Sequence, residues 1–144
     1  NERKNKGRNM VEISSTFELK YAPIDDDHKH LADIVTEIVD ALDAEKLSDS
    51  ADLVRKFVET TRTHFQDEEA LLASHNYPHL DKHKAHHATL VQKLETLQDM
   101  GDKVVDHPQA ADSLRKELIY FLMDDIINED LNFKNFITEA AAKD

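Results

Sequence analysis

Two pairs of side chains in the middle of the chain are of the types that bind metal ions. His64 and Glu68 form one pair, His83 and His87 form the other, and the spacing within each is four residues. Residues four apart project from the same side of an α-helix, so each pair offers two ligand atoms from one helix. Between the pairs lies an Asn-Tyr-Pro sequence at 76–78, which is typical of a helix end followed by a new helix beginning at proline. The pattern therefore predicts an antiparallel hairpin in which both pairs converge on one site.

Two more helices are needed to enclose such a site, and the sequence predicts them. Apolar residues recur at three- and four-residue steps in four segments, as they do in amphipathic helices. The segments run from Asp25 to about Ala44, from the end of a connection at Glu45–Ser50 to Leu71, from Pro78 to Met100, and from Pro108 onward. Gly101 is predicted to end the third helix. Short connections favour an all-α, up-down-up-down four-helix bundle.

Several ionisable residues fall on or near the faces of these helices that should point into the core. They are His28, His64, Glu68, His83, His87, Asp125 and Asp130. Burying such groups without partners costs several kcal/mol each, so a metal cluster that pairs them is the simplest explanation. The chain has no cysteine, and a set of imidazoles and carboxylates suits iron, manganese or zinc.

Spacing alone leaves parts of this ligand set open. A single core histidine such as His28 is most often a structural residue, and only the joint pattern points to metal. In the third helix, His79 and His86 lie close enough to His83 around the helix to be alternatives to it. Asp125 and Asp130 are five residues apart, about 140° on an ideal helix, so both reach one site only near a helix end or a bulge.

Composition restricts the partners of the protein. The chain has 144 residues, a size typical of one domain, and a net charge of −12, which argues against binding nucleic acid or anionic membranes. It contains no apolar run of membrane-spanning length and no signal-peptide core, so a cytoplasmic location is the default expectation. We predict an N-terminal arm or linker at 1–22, with a basic stretch at 1–8 and with Phe17, Leu19 and Tyr21 packed on the bundle at 23–144.

The order of four short motifs resembles the bacterial hemerythrins, which are oxygen-binding, non-haem di-iron four-helix bundles. The motifs are IDDDHKHL at 24–31, HFQDEE at 64–69, YPHLDKHKAHH at 77–87 and FLMDDIINEDLNF at 121–133. The resemblance implies two iron ions. One would be held by His28 and His64 and the other by His83 and His87, with Glu68 and Asp130 bridging the two.

The resemblance has one clear departure in the fourth motif. The family pattern there is His, four residues, then Asp, whereas position 125 of this chain is Asp. A second difference, Asp27 where many relatives have Gln, we regard as minor. As a ligand of the iron that carries His83 and His87, Asp125 would add negative charge and favour the ferric state. We therefore expect easier autoxidation than in a normal hemerythrin, and manganese or zinc also become plausible occupants.

The resemblance implies that the protein binds or senses O2 or a related small oxidant. Because family members are often attached to chemoreceptors and other signalling proteins, a covalently linked signalling domain is expected on the N-terminal side. Two alternatives stay open at this point. One is a di-iron oxidase or peroxidase, and the other is a structural or metal-storage bundle with an altered site. The sequence favours a binding or sensing module over an enzyme, without deciding the matter.

Overall fold

The computed structural model describes residues 15–143, and every long segment in that range is helical. A short 3₁₀ turn, Ser15–Phe17, comes first. Helix α1 spans Ala22–Asp43, α2 spans Leu47–Ser74, α3 spans Leu80–Val104 and α4 spans Ala111–Tyr120. The last of these continues through a π-helical segment, Phe121–Asn128, and a 3₁₀ turn, Leu131–Phe133, into a final helix α5, Lys134–Lys143. The all-α four-helix bundle predicted from the sequence is confirmed.

The connections between the helices are short, which keeps neighbouring helices antiparallel. Asn76 has a positive φ of 58°, a conformation that Asn adopts readily after a helix end, and the chain then turns through Pro78 into α3. The predicted helical hairpin is therefore present. Helix α2 begins at Leu47, earlier than the sequence suggested, and Ser50 therefore lies inside the helix. Leu47 packs on the core, which favours this earlier start.

The arm before α1 is tied to the first turn of that helix. The backbone N–H groups of Leu19 and Lys20 donate to the two carboxylate oxygens of Asp25, at 2.8 and 3.1 Å. Leu19 is fully buried, and Phe17 and Tyr21 pack against apolar clusters of the bundle, as predicted. The basic stretch at 1–8 lies outside the described residues, and the boundary between arm and bundle at residue 22 stays a prediction.

Gly101 does not end the third helix, so that prediction is wrong. Helix α3 continues to Val104, and Gly101 lies against Val54 of α2. A Cβ atom at position 101 would be 3.0 Å from the Val54 Cβ, which is closer than ordinary packing distance. The glycine is therefore there for a close approach of two helices, and not for a change of chain direction.

The core is divided into two apolar clusters along the length of the bundle. The larger cluster is formed by α1, α2, α3, α4 and the π-helical segment. The smaller one contains Leu19, Ile24, Leu72, Phe133 and Ile137. On α1, α2 and α3 the predicted metal ligands lie between residues of the two clusters, and Asp130 likewise lies between Ile127 and Phe133. In α1, for example, His28 comes between Ile24 and Leu31, which belong to different clusters. A polar layer therefore separates two apolar ones.

We expect Gly101→Leu to destabilise the bundle by about 1–3 kcal/mol, the usual cost of overpacking a close contact. The added side chain meets Val54, which is itself fully buried. Urea unfolding followed by circular dichroism measures the change. Glu95→Leu, at an exposed position of the same helix, is the control and should stay within about 0.5 kcal/mol. Equal effects of both variants would contradict the close-approach explanation.

Candidate metal centre

Six of the seven predicted ligands come together in two overlapping groups. One group contains His28, His64, Glu68 and Asp130, and the other contains Glu68, His83, His87 and Asp130. Within each group, one ligand-type atom of every residue lies within 4.8 Å of those of the others, and all the side chains are buried. Each group has two imidazoles, and both groups share the same two carboxylates.

The two oxygens of Asp130 face different histidine pairs. Asp130 Oδ2 is 2.9 Å from His28 Nε2 and 3.4 Å from His64 Nε2. Asp130 Oδ1 is 3.7 Å from His83 Nε2. One carboxylate therefore contacts histidines of both groups.

Glu68 repeats this arrangement beside Asp130. Glu68 Oε2 is 3.1 Å from His64 Nε2, whereas Oε1 is 2.6 Å from His83 Nε2 and 3.2 Å from His87 Nε2. The Nε2 atoms of the imidazoles thus converge on two carboxylates whose oxygens are divided between the two groups. The family resemblance implied that Glu68 and Asp130 bridge two ions. The structure shows both carboxylates shared by the two groups, and the bridging role itself stays a prediction.

Two acidic residues hold the outer nitrogens of the imidazoles. His64 Nδ1–H donates to Asp27 Oδ2 at 3.1 Å, and His87 Nδ1–H donates to Glu69 Oε2 at 2.7 Å. Such bonds fix the ring orientation and keep the opposite nitrogen available for a metal. Phe65 also stacks on the His87 ring, with centroids 4.1 Å apart and planes within 13°. The sequence treated Asp27 as a minor difference and missed Glu69. The only indication of Glu69 in the sequence was its position directly after the predicted ligand Glu68.

The buried carboxylates of the site shift the pKa values of the histidines that contact them. Burial lowers the pKa of His64, but contacts with the carboxylates of Asp130, Asp27 and Glu68 outweigh this and raise the pKa well above its usual value. Burial likewise lowers the pKa of His83, and its contact with Glu68 raises it overall. Cations are therefore favoured at these positions.

The two carboxyl groups respond to the site in opposite directions. Burial raises the pKa of Asp130, and the neighbouring charge of Glu68 raises it further. For Glu68, burial alone would raise the pKa, but a hydrogen bond from Asp130 and contact with His64 lower it well below the usual range. Positive charge, on imidazoles or on a shared proton, is thus needed to keep both carboxyl groups in this layer.

These residues fit a pair of metal ions by their donor chemistry. Four imidazole nitrogens and two carboxylates suit iron, manganese or zinc, and the cations would supply the positive charge that the buried carboxylates require. Two buried atoms, Glu68 Oε2 and His28 Nδ1, have no hydrogen-bond partner within the described part of the chain. Glu68 Oε2 lies 3.1 Å from His64 Nε2, so these two ligand-type atoms are close enough to share a cation.

Asp125 is the predicted ligand that the structure does not bring into either group. Its Oδ2 atom is 3.0 Å from Lys93 Nζ of α3, and its side chain is 13% exposed. The wide turn of the π-helical segment is the kind of bulge required for positions 125 and 130 to share a site. An Asp side chain is short, however, and in the structure it pairs with the ammonium group of Lys93 and belongs to neither group. A role for Asp125 as a ligand stays a prediction.

The other histidines lie outside both groups. His30, His79 and His107 are exposed, and His75 and His86 are partly exposed. His86 Nε2–H donates to the backbone carbonyl of Asp125 at 3.3 Å. In the third helix, His83 and His87 lie with the shared carboxylates, whereas His79 and His86 do not. This geometry favours the pair His83 and His87, whose role as ligands stays a prediction.

Comparison with known proteins identifies the family. Residues 19–137 match the Hemerythrin HHE cation binding domain. The chain belongs to the hemerythrin family. A bacteriohemerythrin from Clostridium acetobutylicum is 30% identical over 111 residues, which cover 74% of this chain and 82% of that protein. A myohemerythrin from Theromyzon tessulatum is 35% identical over 80 residues, which cover 56% of this chain and 62%, less than two thirds, of that protein.

The family assignment agrees with the geometry of this hemerythrin domain. A cation-binding site of histidines and carboxylates lies at the centre of the matched region. None of the helices in the described residues is long and apolar enough to cross a membrane. The resemblance inferred from the four sequence motifs is confirmed.

We expect Glu69→Ala to weaken metal binding about 10- to 100-fold, the usual effect of removing a carboxylate that orients a ligand histidine. The variant removes the acceptor of the His87 Nδ1–H bond, so the ring loses its fixed orientation. Competition with a chromogenic chelator measures the affinity. Asp67→Ala, two positions earlier on an exposed face of α2, is the matched control. Unchanged affinity in Glu69→Ala would mean that packing alone orients His87.

Proposed function

We propose that the protein is a non-haem di-iron protein that binds or senses O2 or a related small oxidant. The observation that carries this proposal is the pair of buried carboxylates, Glu68 and Asp130, each with its two oxygens divided between two histidine pairs. Membership of the hemerythrin family supports it. Two relatives of this chain are a myohemerythrin and a bacteriohemerythrin. That this chain binds oxygen is part of our proposal.

In this proposal His28 and His64 hold one iron, His83 and His87 hold the other, and the two carboxylates bridge them. Iron at both positions would supply a redox-active centre with exchangeable coordination positions. The protein supplies the rest. Asp27 and Glu69 orient two of the imidazoles, and apolar clusters on both sides of the layer restrict the access of water.

The sequence-based expectation of easier autoxidation depends on Asp125. An anionic fifth side chain at the iron of His83 and His87 would favour the ferric state, but Asp125 is paired with Lys93 in the structure. We therefore propose a centre in which each iron has two imidazoles, with Asp125 as an additional ligand only if it leaves Lys93. Manganese or zinc would fit the same donor set.

Sensing rather than storage is proposed because the arm connects the site to the N-terminal side of the chain. Asp25, in the turn before His28, accepts hydrogen bonds from the backbone of the arm. A linked signalling domain on that side and a cytoplasmic location both stay predictions. The oxidase or peroxidase alternative is favoured by one observation, an open surface cavity that has His83 among its lining residues.

Anaerobic loading with ferrous iron tests the proposed function. We expect two iron ions per chain, followed by a change in the visible and near-ultraviolet spectrum when air is admitted. A change that reverses when oxygen is removed supports O2 binding, whereas immediate conversion to a stable ferric spectrum supports an oxidant sensor or an enzyme. Fewer than two irons, or tight binding of redox-silent zinc in preference to iron, would contradict the di-iron proposal.

We expect Asp130→Asn to impair binding of both ions, because Asp130 contacts histidines of both groups. Asp125→Asn makes the same chemical change five residues earlier and should leave the metal content unchanged. The ion pair that it removes is partly exposed and worth about 0–1 kcal/mol at most, so the fold should persist. Metal analysis after dialysis distinguishes the two variants. Loss of one ion in Asp125→Asn would show that Asp125 is a ligand in the loaded protein.

A further inference from the structure

Asp125 is held by helix α3 at two points. Its carboxylate oxygen Oδ2 lies 3.0 Å from Lys93 Nζ. Its backbone carbonyl accepts a hydrogen bond from His86 Nε2–H at 3.3 Å. His86 and Lys93 are seven residues apart, a spacing that places both on the same side of an α-helix. One side of α3 therefore fixes both the backbone and the side chain of Asp125.

Asp125 lies beside the candidate metal centre without being part of it. Its carbonyl is bonded to His86, which directly precedes His87 in the chain. Five residues further along the fourth helix is Asp130, one of the two shared carboxylates. The Asp125 side chain is only 13% exposed, and yet it belongs to neither group of ligand-type residues. It is thus a mostly buried carboxylate next to the centre, paired with a lysine.

Lys93 supplies the positive charge that a metal ion would otherwise supply to Asp125. A mostly buried carboxylate is unfavourable unless a cation accompanies it. Lys93 is 50% exposed, so its ammonium stays in contact with water and the pair does not bury a second charge. Because an Asp side chain is short, turning it toward the centre gives up the contact with Lys93. The ammonium and a metal ion therefore compete for one carboxylate.

We propose that Lys93 determines the donor set of the metal position at His83 and His87 by keeping Asp125 away from it. Lys93 is then a positioning residue, and Asp125 is a reserve ligand that binds the ion when the ammonium is removed. The inference rests on the proposed function, because it concerns the same metal centre. With the ion pair intact, the centre has four imidazoles and two carboxylates. Without the pair it gains a third carboxylate, and the harder donor set favours manganese(II).

Manganese(II) binding to the full chain tests the role of Lys93. Lys93→Met keeps a long, unbranched side chain and removes the charge. We expect it to tighten manganese binding at one position about tenfold, an effect typical of changes in the contacts around metal ligands. Electron paramagnetic resonance of free manganese measures the affinity, and circular dichroism checks the fold. Lys84→Met makes the same change at an exposed position of α3 and should leave the affinity unchanged.

Asp125→Asn separates a change of ligand from a change of net charge. Alone, it should leave manganese binding unchanged, because Asp125 is paired with Lys93 in the unaltered chain. In combination with Lys93→Met, it should abolish the tenfold gain. The two substitutions are then coupled, whereas a purely long-range effect of charge would make their effects additive.

Cobalt(II) gives a second readout, because its visible spectrum depends on the ligands around the ion. We expect the spectrum of Lys93→Met to differ from that of the unaltered chain. The spectrum of the double variant, Lys93→Met with Asp125→Asn, should match that of the unaltered chain. These measurements need neither iron nor O2, so they support the inference even if the response to O2 fails.

Four results would overturn the inference. Unchanged manganese affinity in Lys93→Met would mean that Lys93 does not control the donor set. Additive effects of the two substitutions would mean that they act through net charge alone. Weaker binding in Asp125→Asn alone would mean that Asp125 already binds the ion beside Lys93. If the unaltered chain binds no divalent ion, the inference and the proposed function both fail.

Discussion

The structure depends on two carboxylates, Glu68 and Asp130, that are buried side by side in the middle of the bundle. Two negative charges in an apolar core are unfavourable unless positive charge accompanies them. Four imidazoles surround the pair, with contacts as short as 2.6 Å between Glu68 and His83. The same positive charge can come from protons or from cations, and metal ions therefore compete with protons for the same nitrogens.

This requirement explains why the core consists of two apolar clusters. The helices place an ionisable residue between residues of the larger and the smaller cluster, so the polar layer is closed on both sides by apolar side chains. On the side of the smaller cluster, Phe133 stands edge-on to His83 with ring centroids 5.3 Å apart. Packing thus holds the ring while the carboxylates attract its Nε2 atom. His83 therefore contributes both to the packing of the bundle and to the candidate metal site.

Local spacing was enough to predict the parts of the site that one helix determines. The pairs His64 with Glu68 and His83 with His87 follow from four-residue spacing, and both are found in the groups. The choice of His83 and His87 over His79 and His86 needed the resemblance or the structure, since all four lie within the one helix that the sequence predicts from Pro78 to Met100. Glu69 was missed because its role depends on the position of His87, 18 residues away on another helix. The prediction for Gly101 was wrong because glycine is favoured both where a helix ends and where two helices approach closely, as Gly101 does at Val54.

Asp125 shows most clearly where reasoning from the sequence reaches its end. The π-helical segment was anticipated only as a condition, namely that positions 125 and 130 could share a site at a bulge, and the bulge is there. Its consequence was not predictable, because Lys93 on a neighbouring helix decides where the carboxylate lies. The result is a site in which the two groups have equal numbers of imidazoles. Any difference between the two metal positions must then come from their surroundings, and the cavity at His83 is the clearest such difference among the described residues.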